Sequence, residues 1–153
     1  MTNSKKAGRY ERIIIQLEGL LSKPGDINSR MATISSVLHH KMDGFFWTGF
    51  YMLNNGELIV RVYQGPVACQ LLKKDTGVCW AGINQQKTII VADVNDFTDH
   101  IACDSRSQSE IVVPIRDKNG DIVGVLDVDS SELNTFDETD QRYLEKIVAM
   151  IYA

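Results

Sequence analysis

Cysteines stand at positions 69, 79 and 103, in Ala68-Cys69-Gln70, Gly77-Val78-Cys79-Trp80 and Ala102-Cys103-Asp104. None of these spacings supplies the closely paired ligands of a zinc ribbon, so thiol reactivity is the better reading than a structural metal. Cys79, between Val78 and Trp80, reads as a buried hydrophobe. Cys69 and Cys103 fall in Gly-rich or polar loops that can approach solvent, which is one condition of a reactive thiol. The other is a neighbouring cation or helix N-terminus that lowers its pKa. His100, Lys73, Lys74 and Arg106 are the local candidates, and the sequence does not choose among them. His100 taken singly reads more readily as a loop residue bonded to a neighbour such as Asp99.

A second group is acidic. Asn119-Gly120 marks a hairpin between two apolar runs, Ile111 to Arg116 and Ile122 to Val128. With those two residues central to the turn, paired positions sum to 239, which sets Glu110 opposite Asp129 and Val112 opposite Asp127. Glu110, Asp127 and Asp129 then share one face. A four-residue loop preserves that parity, whereas a three-residue loop turns one strand over and separates them. Like charges across a sheet need a cation, a shared proton or open solvent. Because the aspartates alternate with Leu126 and Val128 beside Val123 and Val125, a ligand-binding face is favoured over open solvent. Trp47 and Tyr51, with Gly49 leaving space between them, supply an aromatic wall to such a site or simply part of a core.

The elements that must position these residues follow from periodicity. Ile13, Ile14, Leu17, Leu20 and Leu21 recur at helical spacing up to Pro24-Gly25, after a polar start of about eight residues expected to be loose. A second helix, capped by Asp26 or Asn28, runs through Met31, Ile34 and Leu38 to about Met42. From Phe45 the period becomes two, with Phe46, Thr48, Phe50 and Met52 on one side and Trp47, Gly49, Tyr51 and Leu53 on the other. Asn55-Gly56 turns the chain into a strand from Leu58 to Tyr63. A short helix after Gly77, a strand from Thr88 to Val91 and a polar loop to about Gln108 lead to the acidic hairpin. A last helix begins after Thr135 or Asp137 and carries the stripe Leu144, Ile147, Val148 and Ile151. Helices at both ends of about six mostly hairpin-linked strands define an α+β fold with an antiparallel sheet.

Composition bounds the function. The 153 residues are 44% apolar and 24% charged, ordinary for one globular domain. A net charge of −4 and the lack of any long basic stretch argue against a nucleic-acid partner. No apolar window is long enough for a membrane span, and Arg9, Glu11 and Arg12 stand where a signal peptide needs its apolar stretch, so a cytoplasmic protein is expected. In that compartment cysteine chemistry is more often transient and catalytic than architectural.

Six segments resemble the free methionine-(R)-sulfoxide reductases, single-domain enzymes of the GAF fold. They are Trp47-Thr48-Gly49-Phe50-Tyr51, Gln64-Gly65-Pro66-Val67-Ala68-Cys69, Gly77-Val78-Cys79, His100-Ile101-Ala102-Cys103-Asp104, Ser109-Glu110-Ile111-Val112-Val113-Pro114 and Gly124-Val125-Leu126-Asp127-Val128-Asp129-Ser130. The resemblance implies a single GAF domain over residues 1–153, a sheet with the terminal helices on one face, and reduction of free methionine sulfoxide. It makes Cys103 the nucleophile, left as a sulfenic acid, Cys69 the cysteine that closes a disulfide, and Cys79 a third participant that relays it. Thioredoxin reopens the disulfide, drawing on NADPH through its own reductase, with no bound metal or organic cofactor. Trp47 and Tyr51 would surround the substrate methyl end over a polar floor of Glu110, Asp127 and Asp129. Crowding of these carboxylates raises at least one of their pKa values, which makes Glu110 the expected proton donor. A homodimer is the state the resemblance favours. Arg61-Val62-Tyr63 departs from the Gly-Pro-Phe of many relatives. The rival reading is a GAF module that binds a small molecule without turnover.

Overall fold

The computed structural model describes residues 2–98 and 104–153. Cys103 and His100 lie outside the described residues. Helix α1 (Asn3–Leu20) begins where the Thr2 hydroxyl accepts from the Lys5 N–H. The polar start expected to be loose is therefore helical from Asn3. The reason is Lys6, which reaches across to the last helix, α4 (Glu138–Val148), and pairs with Asp140 at 2.7 Å and Asp137 at 3.4 Å. Asp137 and Asp140 form the reciprocal capping box that starts α4. Tyr10, one turn further along α1, donates to the other Asp140 oxygen at 2.6 Å. Helix α2 (Ile27–Lys41) is capped by Asp26, which accepts from the Ser29 N–H.

Six strands form one antiparallel sheet: β1 (Trp47–Asn54), β2 (Glu57–Gln64), β3 (Leu71–Leu72), β4 (Ile89–Val91), β5 (Ser109–Arg116) and β6 (Ile122–Ser130). Their order across the sheet is β3-β2-β1-β6-β5-β4, which puts β1 and β6 at the centre. Strand β3 is only two residues long, too short to show any alternation. Phe50, Met52, Ile111, Val113, Leu126 and Val128 face α1, α2 and α4 and build the larger core with Tyr10, Leu17, Ile34, Leu38, Leu144 and Ile147. The expected placement of both terminal helices on one face holds. The opposite face packs Trp47, Tyr51, Val112 and Val125 against Val78, Cys79 and Trp80 of helix α3 (Gly77–Gln85). Phe46 joins this second face, not the side of Thr48 and Phe50, because the strand begins only at Trp47.

The acidic hairpin reaches its expected register by an unexpected route. Its turn is not centred on Asn119-Gly120: the Gly120 N–H donates to the Asp117 carbonyl and the Asp117 N–H to the Asp121 carbonyl. Gly120 takes a φ of 85°, so the loop is a three-residue turn closed by a left-handed glycine. Such a loop alone would turn β6 over. A bulge between Ile115 and Arg116 absorbs one extra residue, Val123, since Arg116 pairs with Ile122 and Ile115 with Gly124. Beyond it Val112 lies opposite Asp127 and Glu110 opposite Asp129.

Candidate active site

Two rows of paired residues lay out the site on the α3 face. One runs Trp47, Asp129, Glu110 and Val91 across β1, β6, β5 and β4. The next runs Gly49, Asp127 and Val112. The three carboxylates thus converge on one patch, with Glu110 and Asp127 buried and Asp129 partly exposed.

Burial raises the pKa of all three, and neighbouring carboxylate charges add to it at Glu110 and Asp129. Glu110 and Asp129 are held well above the usual carboxylate range, Glu110 by desolvation and then by the Asp127 and Asp129 charges. Asp127 is raised as well, by desolvation, but hydrogen bonds from Glu110 and Cys79 work the other way. The Asp127 Oδ1 is buried with no hydrogen-bond partner among the described residues. A buried orphan acceptor is costly unless a ligand fills it. Cys79 is buried with its thiol pushed up in pKa, first by desolvation and then by the surrounding carboxylates. The expectation of a simple buried hydrophobe is half right, since the residue is inside but its sulfur belongs to the polar cluster.

Two tyrosine rings stack with Trp47, of which Tyr51 lines the cavity with it. Trp47 lies 5.8 Å from Tyr51 and 5.1 Å from Tyr63, centroid to centroid. Gly49 makes this stack possible, because a Cβ there would lie 2.3 Å from the Tyr63 Cβ and 2.7 Å from the Trp47 ring. Both wall residues also tie down the loop after β2: the Trp47 indole N–H donates to the Pro66 carbonyl and the Tyr51 hydroxyl to the Cys69 carbonyl, each at 3.0 Å. Cys69 is disulfide-bonded, and Cys79 is a free thiol.

Trp47, Tyr51, Cys79, Glu110, Asp127 and Asp129 all line one cavity. Val67 and Ala68 close one side and Thr76, Gly77 and Val78 another. Thr76 makes no side-chain cap at the start of α3, so the first backbone N–H groups of that helix stand ready for a ligand carboxylate. The cavity therefore offers an apolar slot, an anionic floor and amide donors, the complement of a zwitterionic amino acid with an apolar side chain. Cys79, Glu110 and Asp127 also bring one sulfur and two carboxylate oxygens within 4.8 Å of one another, the set that would hold a divalent cation if one bound.

Of the basic residues considered as thiol activators, neither Lys73 nor Lys74 lines the cavity. Arg106 forks onto the cavity-lining Asp104 at 2.7 and 3.0 Å, with its guanidinium 4.8 Å from the ring centre of Phe46, another lining residue. That pairing holds the Asp104 carboxyl down to about 2. Tyr63, Phe46, Asp104 and the α3 N-terminus were not singled out as site residues. Tyr63 was not legible from the first hairpin, because a turn at Asn55-Gly56 sets Gly49 opposite Val62 and only the irregularity between Gly49 and Tyr51 brings Tyr63 across from Gly49.

The chain belongs to the GAF domain family, whose pattern it matches over residues 27–151. Among its relatives, GAF domain-containing protein A of Dictyostelium discoideum is 43% identical, over 99% of this chain and 95% of that one. The free methionine-R-sulfoxide reductase of Saccharomyces cerevisiae is 36% identical over 98% of this chain and 87% of the yeast protein. The free methionine-R-sulfoxide reductase of Neisseria meningitidis, solved with its substrate, superposes with a TM-score of 0.91 at 38% identity, covering 96% of this chain and 88% of that one. The resemblance carried by the sequence motifs is borne out. No described helix is long and apolar enough to cross a membrane.

Proposed function

We propose that this protein reduces free L-methionine (R)-S-oxide to L-methionine by cysteine thiol chemistry and is recycled by thioredoxin. The observation that carries the reading is the cavity itself, where an aromatic wall faces a buried carboxylate cluster with one unpartnered acceptor, Asp127 Oδ1. Relatives of closely similar length that bear the reductase name support it.

In this reading the substrate side chain lies against Trp47 and Tyr51, its ammonium meets Asp127 and Asp129, and its carboxylate meets the α3 N-terminus. The Cys103 thiolate attacks the sulfoxide sulfur. Glu110, kept protonated by its surroundings, supplies the proton to the sulfoxide oxygen. The substrate S–O bond breaks and the oxygen passes to the cysteine as a sulfenic acid, so two electrons move from the cysteine sulfur to the methionine sulfur. The Cys69 thiol then displaces that oxygen as water and forms a disulfide. Reduced thioredoxin reopens the bond by exchange and leaves as its own disulfide, re-reduced by NADPH through its reductase.

The test is NADPH consumption with thioredoxin, its reductase and each sulfoxide diastereomer. Consumption with the R form and none with the S form is expected. Reversible binding without turnover would favour a sensor, and reduction of the S form alone would overturn the assignment.

A further inference from the structure

Cys79 reaches the carboxylates because α3 lies tight against the sheet. Gly82 follows it at helical spacing on the same side of α3, and a Cβ there would meet Val112 Cγ1 at 2.9 Å. Val112 is the pairing partner of Asp127, and Glu110 precedes it on the same face of β5. Three elements thus bring a sulfur from α3, a carboxylate from β5 and a carboxylate from β6 to one place, with none of the three residues more than 6% exposed.

The Cys79 Sγ and one oxygen each from Glu110 and Asp127 all lie within 4.8 Å of one another. Donors on one tetrahedral zinc ion stand about 3.3–3.6 Å apart, so at most about 1.5 Å of side-chain movement gathers the set. A second observation points independently to a ligand: Asp127 Oδ1 is buried and has no hydrogen-bond partner among the described residues. An acceptor left bare inside a protein is costly, and a cation answers both its charge and its lone pairs. All three residues line the cavity, which gives an ion its way in and leaves a fourth position for water. One sulfur with two oxygens suits Zn2+, which takes thiolate and carboxylate together, and not Mg2+ or Ca2+, which take oxygen donors.

We propose that Cys79, Glu110 and Asp127 form a reversible binding site for Zn2+, and that the bound ion closes the pocket to free methionine sulfoxide by taking the acceptor offered to its ammonium group. The blocking effect rests on the proposed function, whereas the site itself does not. On binding, the thiol proton and any proton held by the two carboxyls pass to solvent, and nothing is oxidised or reduced. The ion acts as a brake and takes no part in sulfoxide reduction.

The experiment uses the full chain in the form where Cys69 is in its disulfide and Cys79 is the free thiol. Zn2+ is titrated by calorimetry and Co2+ by absorbance, since a cobalt–thiolate bond gives a near-ultraviolet charge-transfer band. One ion per chain and a thiolate band are expected, with no binding of Mg2+ or Ca2+ at the same concentration. Even outer-shell changes cost about 10–100-fold in metal affinity, so Cys79→Ser and Asp127→Asn should each weaken Zn2+ binding by about a hundredfold or more. Zn2+ should raise the apparent Kd of free methionine sulfoxide, and the sulfoxide that of Zn2+ by the same factor.

A cobalt band that survives Cys79→Ser, or Zn2+ affinity unchanged in Asp127→Asn, would overturn the site. The asparagine variant keeps the shape of the floor and decides the matter if the serine variant does not fold. Independent binding of Zn2+ and sulfoxide would overturn the blocking role. Wild-type protein that binds Zn2+ through Cys79 but does not reduce the sulfoxide sinks the proposed function and leaves the site standing, whereas normal turnover with no cobalt–thiolate band sinks the site alone.

Discussion

The Tyr51 hydroxyl donates to the carbonyl of Cys69 at 3.0 Å, so the pocket wall and the loop that carries a disulfide-bonded cysteine are physically one piece. Tyr51→Phe keeps the ring and its packing but releases that carbonyl. Losing a hydrogen bond worth about 1 kcal/mol should slow disulfide closure about fivefold while leaving the first methionine release little changed. Thiol titration after a single turnover, run beside methionine quantitation, separates the two rates. Equal closure rates in variant and wild type would remove the loop-holding role.

Much of this site was legible because strand pairing is arithmetic. The grouping of Glu110, Asp127 and Asp129 followed from the hairpin signal at Asn119-Gly120, yet the turn drawn there was the wrong one. A three-residue loop and a bulge at Ile115 and Arg116 each shift the register by one, and the two shifts cancel. Neither is readable from alternation, since a bulge depends on how one strand must twist against its neighbours. The N-terminal helix was underread for a different reason. The polar residues before Tyr10 look unfit for packing until Lys6 is seen to meet Asp140, a partner 134 positions away. Cys79 shows the same limit, because flanking residues report burial but not what chemistry shares the buried space.

Lys6 and Asp140 give a prediction about stability. The pair is buried, with the aspartate side chain only 1% exposed. Lys6→Met keeps the aliphatic stem and leaves the Asp140 carboxylate with the Tyr10 hydroxyl and the Asp137 N–H as its donors. Breaking a buried pair from one side costs about 3–5 kcal/mol, which lowers the melting temperature of a chain this size by roughly 6–20 °C. Thermal melts at neutral pH check it. A shift below about 2 °C would show that the N-terminal helix is held by its apolar face alone.

The carboxylate cluster makes stability depend on pH with a definite sign. Glu110 and Asp129 hold their protons to higher pH in the folded protein than in the unfolded chain. Between the unfolded value near pH 4 and the folded values, the native state binds more protons. Stability therefore falls as pH rises through that window, by up to about 1.4 kcal/mol per pH unit for each group. Glu110→Gln holds the neutral form permanently and should melt above wild type at pH 8, with the gap closing towards pH 4. A gap that is instead widest at pH 4 would contradict the assignment of Glu110 as the protonated member.

Substrate choice tests the pocket most directly. Asp127 Oδ1 and Asp129 are arranged for a group with charge and several donors, which an α-ammonium has and an acetylated nitrogen lacks. Leaving a buried charged acceptor unmatched costs about 2–5 kcal/mol, a factor of tens to thousands in specificity. N-acetyl methionine sulfoxide should accordingly be a far poorer substrate than the free amino acid. Asp127→Asn or Asp129→Asn should narrow that gap, mainly by weakening the free form, since an amide still bonds to the substrate but no longer answers its charge. The check is kcat/KM for both substrates in all three proteins. Equal values for free and acetylated substrate in the unmodified protein would show that the ammonium does not sit on this floor, and the orphan oxygen of Asp127 would then need another occupant.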